Sequence, residues 1–245
     1  MKLDACRARG RGRQESSRAS AGVAARRRGA AQGGRKDLNY SHEQVPLPAP
    51  GTVLHWFDFI CPFCYVGQQR NQILERHGLA IIQLPFQIHP DIPPEGIEAG
   101  PRRGPAHAAL EREAALAGLP LHWPARLPDT RTALSAAEWV RRHRPDVSDQ
   151  FNRGLFAAHF VLGEDLGDIA VIARHADELG IDPGALHAGL ADGTALASLT
   201  EAEAIGARFG VRATPAWLIG GDLVSGLRPA SEFERLAESA AQQLS

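Results

Sequence analysis

The chain has 245 residues, 44% of them hydrophobic and 22% charged, with a net charge of -1; this is the composition of a globular protein and excludes a collagenous or wholly disordered chain. Its apolar runs are broken by Arg, His, Asp or Glu within a dozen positions, well short of the roughly 18 residues that a bilayer-spanning helix needs. The charge is unevenly placed, because Met1 to Lys36 holds 11 Lys or Arg against Asp4 and Glu15, while the rest holds 16 Arg against 26 acids. That first stretch is Arg-, Ala-, Gly- and Ser-rich without a periodic apolar face, and three prolines follow between Gln44 and Pro50. Residues 1–50 are therefore expected to be a disordered basic tail and linker. Ala19 to Ala25 is too small and polar for the apolar core of a secretory signal, and Arg26-Arg27-Arg28 leads into a polar, Gly-rich stretch, so a cytoplasmic location is expected. Three cysteines are too few for a disulfide-stapled scaffold.

Val53 to Phe59 reads as a buried strand, apolar on both faces except at His55 and Asp58. Pro62 suits the first turn of a helix, which places Cys61 at its N-cap, and the helix is expected to run to His77 before Gly78 stops it. Leu79 to Ile88 is a second strand, completing a β-α-β unit. After His89-Pro90-Asp91 the pattern is helical for over a hundred residues, with no strand-like run long enough to compete. Val147, Phe151, Leu155, Ala158 and Leu162 step at helical spacing, as do Ile169, Ile172, Ala173, Ala176 and Leu179 between Asp168 as N-cap and Gly180 as stop. Asp182-Pro183 opens another helix. Thr200 and Glu203 form a capping box for a helix carrying Ile205 and Phe209 and ending at Gly210. Val211 to Ile219 and Asp222 to Ser225 read as strands around a Gly-Gly turn, and Phe233, Leu236, Ala237, Ala240 and Leu244 mark a closing helix. The class is α/β: a sheet domain of residues 51–92 and 208–245, interrupted by a helical insertion of residues 93–207.

Cys61-Pro62-Phe63-Cys64 is where chemistry concentrates. A helix start offers free N–H groups and the positive end of the peptide dipoles, both of which stabilise a thiolate at Cys61. Cys64, one turn inward, is placed to attack a mixed disulfide formed at Cys61 and release the substrate. Half a zinc site has the same spacing, but no second pair is present, and His55, His77 and His89 fall at unrelated points, so no metal is expected. Pro215 is anomalous inside Val211 to Ile219, because proline removes a ladder donor.

At this point the chain resembles the thioredoxin superfamily, whose strand after the insertion begins with a cis-proline facing the cysteine pair, as Thr214-Pro215 is placed here. More narrowly, Phe57 to Gly67 around the two cysteines, Pro85-Phe86-Gln87 to Pro90-Asp91 with Pro93-Pro94-Glu95-Gly96, Leu155-Phe156 to Phe160, Gly163 to Asp168, and Gly210-Val211 to Thr214-Pro215 look like the DsbA family, in its FrnE-like branch. The resemblance spans roughly Thr52 to Leu244. It implies a thioredoxin-like fold with an inserted helical domain and a thiol–disulfide oxidoreductase or isomerase. Cys61 would attack, Cys64 resolve, and Thr214 and Pro215 dock the substrate, with Phe63 at the rim. It implies no metal or organic cofactor, glutathione as a redox partner, and protein or small-molecule thiols and disulfides as substrates. No specific nucleic acid and no membrane is expected as a partner, since no aromatic residue is interleaved with the arginines of the tail.

The chain departs from the family in several places. Phe63 stands where DsbA has a histidine, removing one cation near Cys61; Leu134 and Ser135 replace a His-Arg pair in the stretch Asp129 to Ser135; and His159 stands where tyrosine is common. The alternatives are a glutathione-dependent isomerase or transferase of the chromene-carboxylate isomerase or kappa type, whose members commonly lack the second cysteine, and a binding module with a structural disulfide. Two readings stay open for single residues. Asp58 relays the Cys64 proton or only bonds local N–H groups; Trp56, Phe63 and Tyr65 form a docking rim or belong to the core.

Overall fold

The computed structural model describes residues 47–244; the tail expected before residue 47, with Cys6, lies outside the described residues. The chain enters at strand β1 (Thr52–Phe57), all of it buried after Thr52. Helix α1 (Pro62–Arg76) follows, capped by His77 and closed by Gly78 at φ +81°. Strand β2 (Ala80–Pro85) then lies parallel to β1, with Thr52 opposite Ala80 and Phe57 opposite Pro85.

The intervening layer is helical but not wholly so. Strands β3 (Ile97–Glu98) and β4 (Arg126–Leu127) pair as a two-residue ribbon around α2 (Pro105–Leu116), too short to show in a hydropathy pattern. Helices α3 (Arg131–His143) and α4 (Ser148–Ala157) follow, and α4 runs straight into a π-helical turn at Ala158–Leu162. That turn corrects the expected helical face: Phe151, Leu155 and Ala158 are buried, but the wider turn rotates Leu162 outward to 62% exposure. Helix α5 (Ile169–Asp177) starts at Asp168, whose carboxylate accepts from the Ala170 N–H, and α6 (Pro183–Ala191) starts in the same way at Asp182.

Helix α7 spans Thr194–Arg208. Thr200 is therefore inside a helix, where its hydroxyl donates to the Leu196 carbonyl, and the expected capping box does not form. The start is made instead by Asp192, which accepts from the Thr194 N–H and hydroxyl. Glu203 is drawn away by tertiary partners: it pairs with Arg131 and accepts from the Gln87 N–H. Strand β5 (Ala216–Ile219) begins only after Pro215, shorter than the run from Val211 suggested, because proline cannot donate to the ladder. Strand β6 (Asp222–Ser225) and helix α8 (Ala230–Gln242) complete the chain.

The sheet order is β2-β1-β5-β6, with β5 antiparallel to both neighbours. Alternation along β1 divides the core. Val53 packs with Ile73, Leu74, Trp217, Ile219, Phe233 and Ala237 under α1 and α8, whereas Leu54 and Trp56 pack with Ala202, Val211 and Leu218 under α7. A third cluster joins the end of β1, the start of α1 and the helical layer, with Phe57, Phe59, Cys61, Cys64, Phe156 and Phe160 among its members. Each large apolar side chain buried there contributes roughly 2 kcal/mol. Among the described residues no helix is long and apolar enough to cross a membrane.

Candidate active site

Cys61 occupies the N-cap of α1 in extended backbone, φ -82° and ψ 108°, and Pro62 fills the first helical position. No acidic residue stands in the first turn to oppose the helix dipole. The Cys61 carbonyl accepts from the N–H groups of Cys64 and Tyr65, at 3.0 and 3.2 Å, while the Cys61 N–H donates to the Asp58 carbonyl at 3.1 Å. The chain thus folds back on itself as it leaves β1. Both thiols are free and buried, Cys61 4% exposed and Cys64 not at all.

Across from them the Thr214–Pro215 peptide is cis, and the Thr214 carbonyl accepts from the Cys61 thiol at 3.4 Å. Cys61, Cys64, Thr214 and Pro215 are therefore brought together from residues some 150 positions apart in sequence. The loop is held from both sides. The Pro215 carbonyl accepts from the Gly226 N–H at 2.8 Å. Below it, the Trp217 indole donates to Asn71 at 2.8 Å, and Asn71 donates to His55 Nδ1 at 3.0 Å. Gly67 lets α1 approach this layer, since a Cβ there would meet the Trp217 ring at 3.2 Å.

The two sulfurs are electrostatically unlike. For Cys61, burial is the largest influence and opposes ionisation, but the Cys64 thiol, the Thr214 side chain and the Cys64 N–H outweigh it and hold the thiol below its usual range. The Thr214 hydroxyl beside the pair is buried with no hydrogen-bond partner of its own. For Cys64 burial again leads, now reinforced by the hydrogen bond and charge of Cys61, and its thiol is pushed well up. One sulfur is thus set to ionise first and the other to hold its proton.

Asp58 is fully buried behind the pair. Its carboxylate accepts from the Ile88 N–H at 2.9 Å and the Ile60 N–H at 3.4 Å, so it ties the end of β1 to the chain leaving β2. Burial raises its pKa to about 6 against the pull of those N–H groups, the Thr130 side chain and the His89 charge. Ile88 and Thr130 were not singled out by sequence, because both act on Asp58 only through long-range folding. Of the three aromatics, Trp56 is wholly buried under α7 and Tyr65 is 5% exposed, stacked on Phe160 with its hydroxyl donating to the Pro120 carbonyl at 2.8 Å. Only Phe63, 36% exposed, stands open beside the cysteines.

Leu134, Ser135 and His159, the departures within the insertion, are all buried, so they shape its interior rather than its outer surface. His159 has neither ring nitrogen hydrogen-bonded, and burial lowers its pKa to about 4. The three histidines weighed as metal ligands lie apart: His55 is in the sheet core, His77 bonds Glu234 and His89 faces Asp91. Among the described residues no group of three or more His, Cys, Asp or Glu is arranged to hold a metal ion.

The family model of the DSBA-like thioredoxin domain matches residues 52–238, which takes in the whole sheet and both cysteines. The chain belongs to this family. Solved structures agree with the DSBA-like fold. A probable DsbA oxidoreductase of Streptomyces coelicolor superposes with a TM-score of 0.69 at 20% identity, covering 78% of this chain and 90% of its own. A 2-hydroxychromene-2-carboxylate isomerase gives 0.63 at 21%, covering 79% and 95%. The cytosolic disulfide reductase DsbM of Pseudomonas aeruginosa, solved with glutathione, gives 0.55 at 16%, covering 79% and 96%. This DSBA-like chain therefore has the thioredoxin-like fold.

Proposed function

We propose that the protein exchanges disulfides through Cys61 and Cys64. The observation that carries this reading is the asymmetry of the pair: the outer thiol is lowered and the inner one raised, both against Thr214-Pro215. The Cys61 thiolate attacks one sulfur of a substrate disulfide, forming a mixed disulfide and expelling the other half as a thiolate. Cys64 then gives up its proton and attacks the Cys61 sulfur. The remaining substrate thiolate leaves and a Cys61–Cys64 disulfide is formed, so two electrons have passed to the substrate. Asp58, with its pKa near neutrality, is the carboxylate that takes the Cys64 proton. Thr214 and Pro215 dock the substrate beside the exposed Phe63 ring. The reverse sequence oxidises a dithiol.

No cofactor takes part in this scheme. Glutathione, present in the DsbM structure, is the thiol that would return the pair to its reduced form in a cytoplasmic setting. Without a histidine beside Cys61, the pair is expected to have a potential between about -270 mV, as in thioredoxin, and about -120 mV, as in DsbA. A glutathione-dependent isomerase of the chromene-carboxylate type is disfavoured by Cys64, which such a reaction does not need.

The experiment is a pair of substitutions. Cys61→Ser abolishes both insulin-disulfide reduction and dithiol oxidation, whereas Cys64→Ser accumulates mixed disulfides visible by mass spectrometry. Full activity in Cys61→Ser would sink the reading.

A further inference from the structure

Threonine at a helix N-cap ordinarily accepts from an N–H of the first turn. Thr130, the N-cap of α3, does not: its backbone, at φ -86° and ψ 0°, is not the extended one of a capping residue, and its side chain makes no capping bond. The Asp129 carboxylate accepts from the Arg131 N–H instead, at 3.0 Å. Thr130 is left 1% exposed, and among the described residues its hydroxyl meets no partner in good hydrogen-bond geometry. An unpaired buried hydroxyl is costly, so its placement needs a reason.

Its neighbour is Asp58. The Thr130 side chain stands against that carboxyl and favours its charged form, while the Ile88 N–H donates to Asp58 Oδ2 at 2.9 Å. These two holders come from different layers, since Ile88 follows β2 and Thr130 opens a helix of the insertion. They are fastened to each other one residue away. Gln87 Nε2 donates to Asp129 Oδ1 at 2.8 Å, and Gln87 Oε1 accepts from Arg131 at 3.3 Å. Glu203 of α7 closes the clasp, accepting from the Gln87 N–H and from the Arg131 guanidinium. The insertion is thereby pinned where Asp58 lies.

We propose that Thr130 is a positioning residue for proton transfer: its hydroxyl turns to the Asp58 carboxylate as the charge forms, and so keeps that group ready to take the Cys64 proton. The inference rests on the disulfide-exchange reading and gives the helical insertion a part in its second step. In that step the Cys64 S–H bond breaks and the proton passes to an Asp58 carboxylate oxygen. The sulfur's electron pair forms the bond to Cys61, the bond from Cys61 to the substrate sulfur breaks, and its pair leaves with the substrate thiolate. Asp58 afterwards returns the proton to water. A donor to the charged form holds a carboxyl's pKa down, so removing it leaves less of the base ionised at a given pH. The ionisable groups around Asp58 are Cys61 and Cys64 on the α1 side and His89 on the chain leaving β2; Asp129 and Arg131 on the α3 side are engaged by Gln87 and Glu203.

The test mixes the reduced protein, in a Cys6→Ser background so that only the pair reacts, with the chromogenic disulfide dithiobis-nitrobenzoate in a stopped-flow instrument. The first coloured thiolate reports attack by Cys61 and the second reports resolution by Cys64. Thr130→Val keeps the shape and removes the donor. The pH midpoint of its second phase, near the wild-type Asp58 value of about 6, is expected to rise by about one unit. That makes resolution about fivefold slower at pH 6 and nearly equal to wild type at pH 8, while the first phase does not slow. Thr130→Ser restores the wild-type profile. Asp58→Asn loses the midpoint, and Thr130→Val added to it changes nothing further. An unmoved midpoint in Thr130→Val, or an equal slowing by Thr130→Val in the Asp58→Asn protein, overturns the proposal and leaves the exchange reading standing. Release of the second thiolate by Cys64→Ser overturns both.

Discussion

Neutral groups stand where DsbA has a cation beside its attacking sulfur. Phe63 supplies no charge, so the lowered thiol of Cys61 depends on Cys64, Thr214 and a helix N–H, working against burial. Thr214→Val keeps the shape and removes the proton donor. Alkylation of Cys61 by iodoacetamide at neutral pH is expected to slow roughly two- to fivefold, the effect of one hydrogen bond of about 0.5–1 kcal/mol. An unchanged rate would leave the stabilisation to the Cys64 thiol and the helix N–H. Asp58 allows a second measurement. Its pKa rises on folding from 3.8 to about 6, so the folded state binds the proton more tightly and loses stability as pH rises through that window. Asp58→Asn does not titrate. Relative to wild type, its unfolding free energy is expected to improve by up to about 3 kcal/mol between pH 4 and pH 7, read by urea denaturation at each pH. A flat difference would mean that the carboxylate is ionised throughout.

At the scale of elements, the close contacts are made where glycine lets two layers meet. A Cβ on Gly206 of α7 would lie 2.9 Å from Trp56 Nε1 and 3.0 Å from the Phe86 ring, both fixed against the sheet. Gly206→Ala is expected to cost about 1–3 kcal/mol, seen as a lower urea midpoint at unchanged slope; an unshifted midpoint would show that α7 can slide. Such contacts were not legible in the sequence, but much else was. Strand β1, helix α1 and its stop at Gly78, the caps at Asp168 and Asp182, and strand β6 follow from local chemistry, and local chemistry is what a sequence displays. The failures share a cause. Glu203 has the spacing of a capping residue, yet Arg131 lies 72 positions away and offers a stronger partner. Leu162 keeps a helical period that the π turn breaks. In the candidate site the Cys-Pro-Phe-Cys turn and Thr214-Pro215 could be read in advance, whereas the N–H groups that hold Asp58 could not.

At the scale of the molecule, every sheet element among the described residues and both halves of the site lie at or beyond Thr52, and the family match begins there too. Removing residues 1–44 is therefore expected to leave the rate of disulfide exchange within about twofold and the thermal midpoint within about 2 °C. A larger loss in either assay would show that the basic segment contributes to the folded unit. The cysteines themselves belong to the cluster that binds the helical layer to the sheet, in company with Phe156, Phe160 and Leu166. Forming or breaking their bond changes the volume and polarity at one corner of that shared packing. Reciprocity then applies: whatever free energy the helices gain or lose when the pair is oxidised, the pair feels as an equal bias on its redox poise when the helices are loosened or braced. The inserted layer is thus a thermodynamic counterweight to the two sulfurs, and the willingness of this protein to accept electrons is partly written in residues that never meet a substrate.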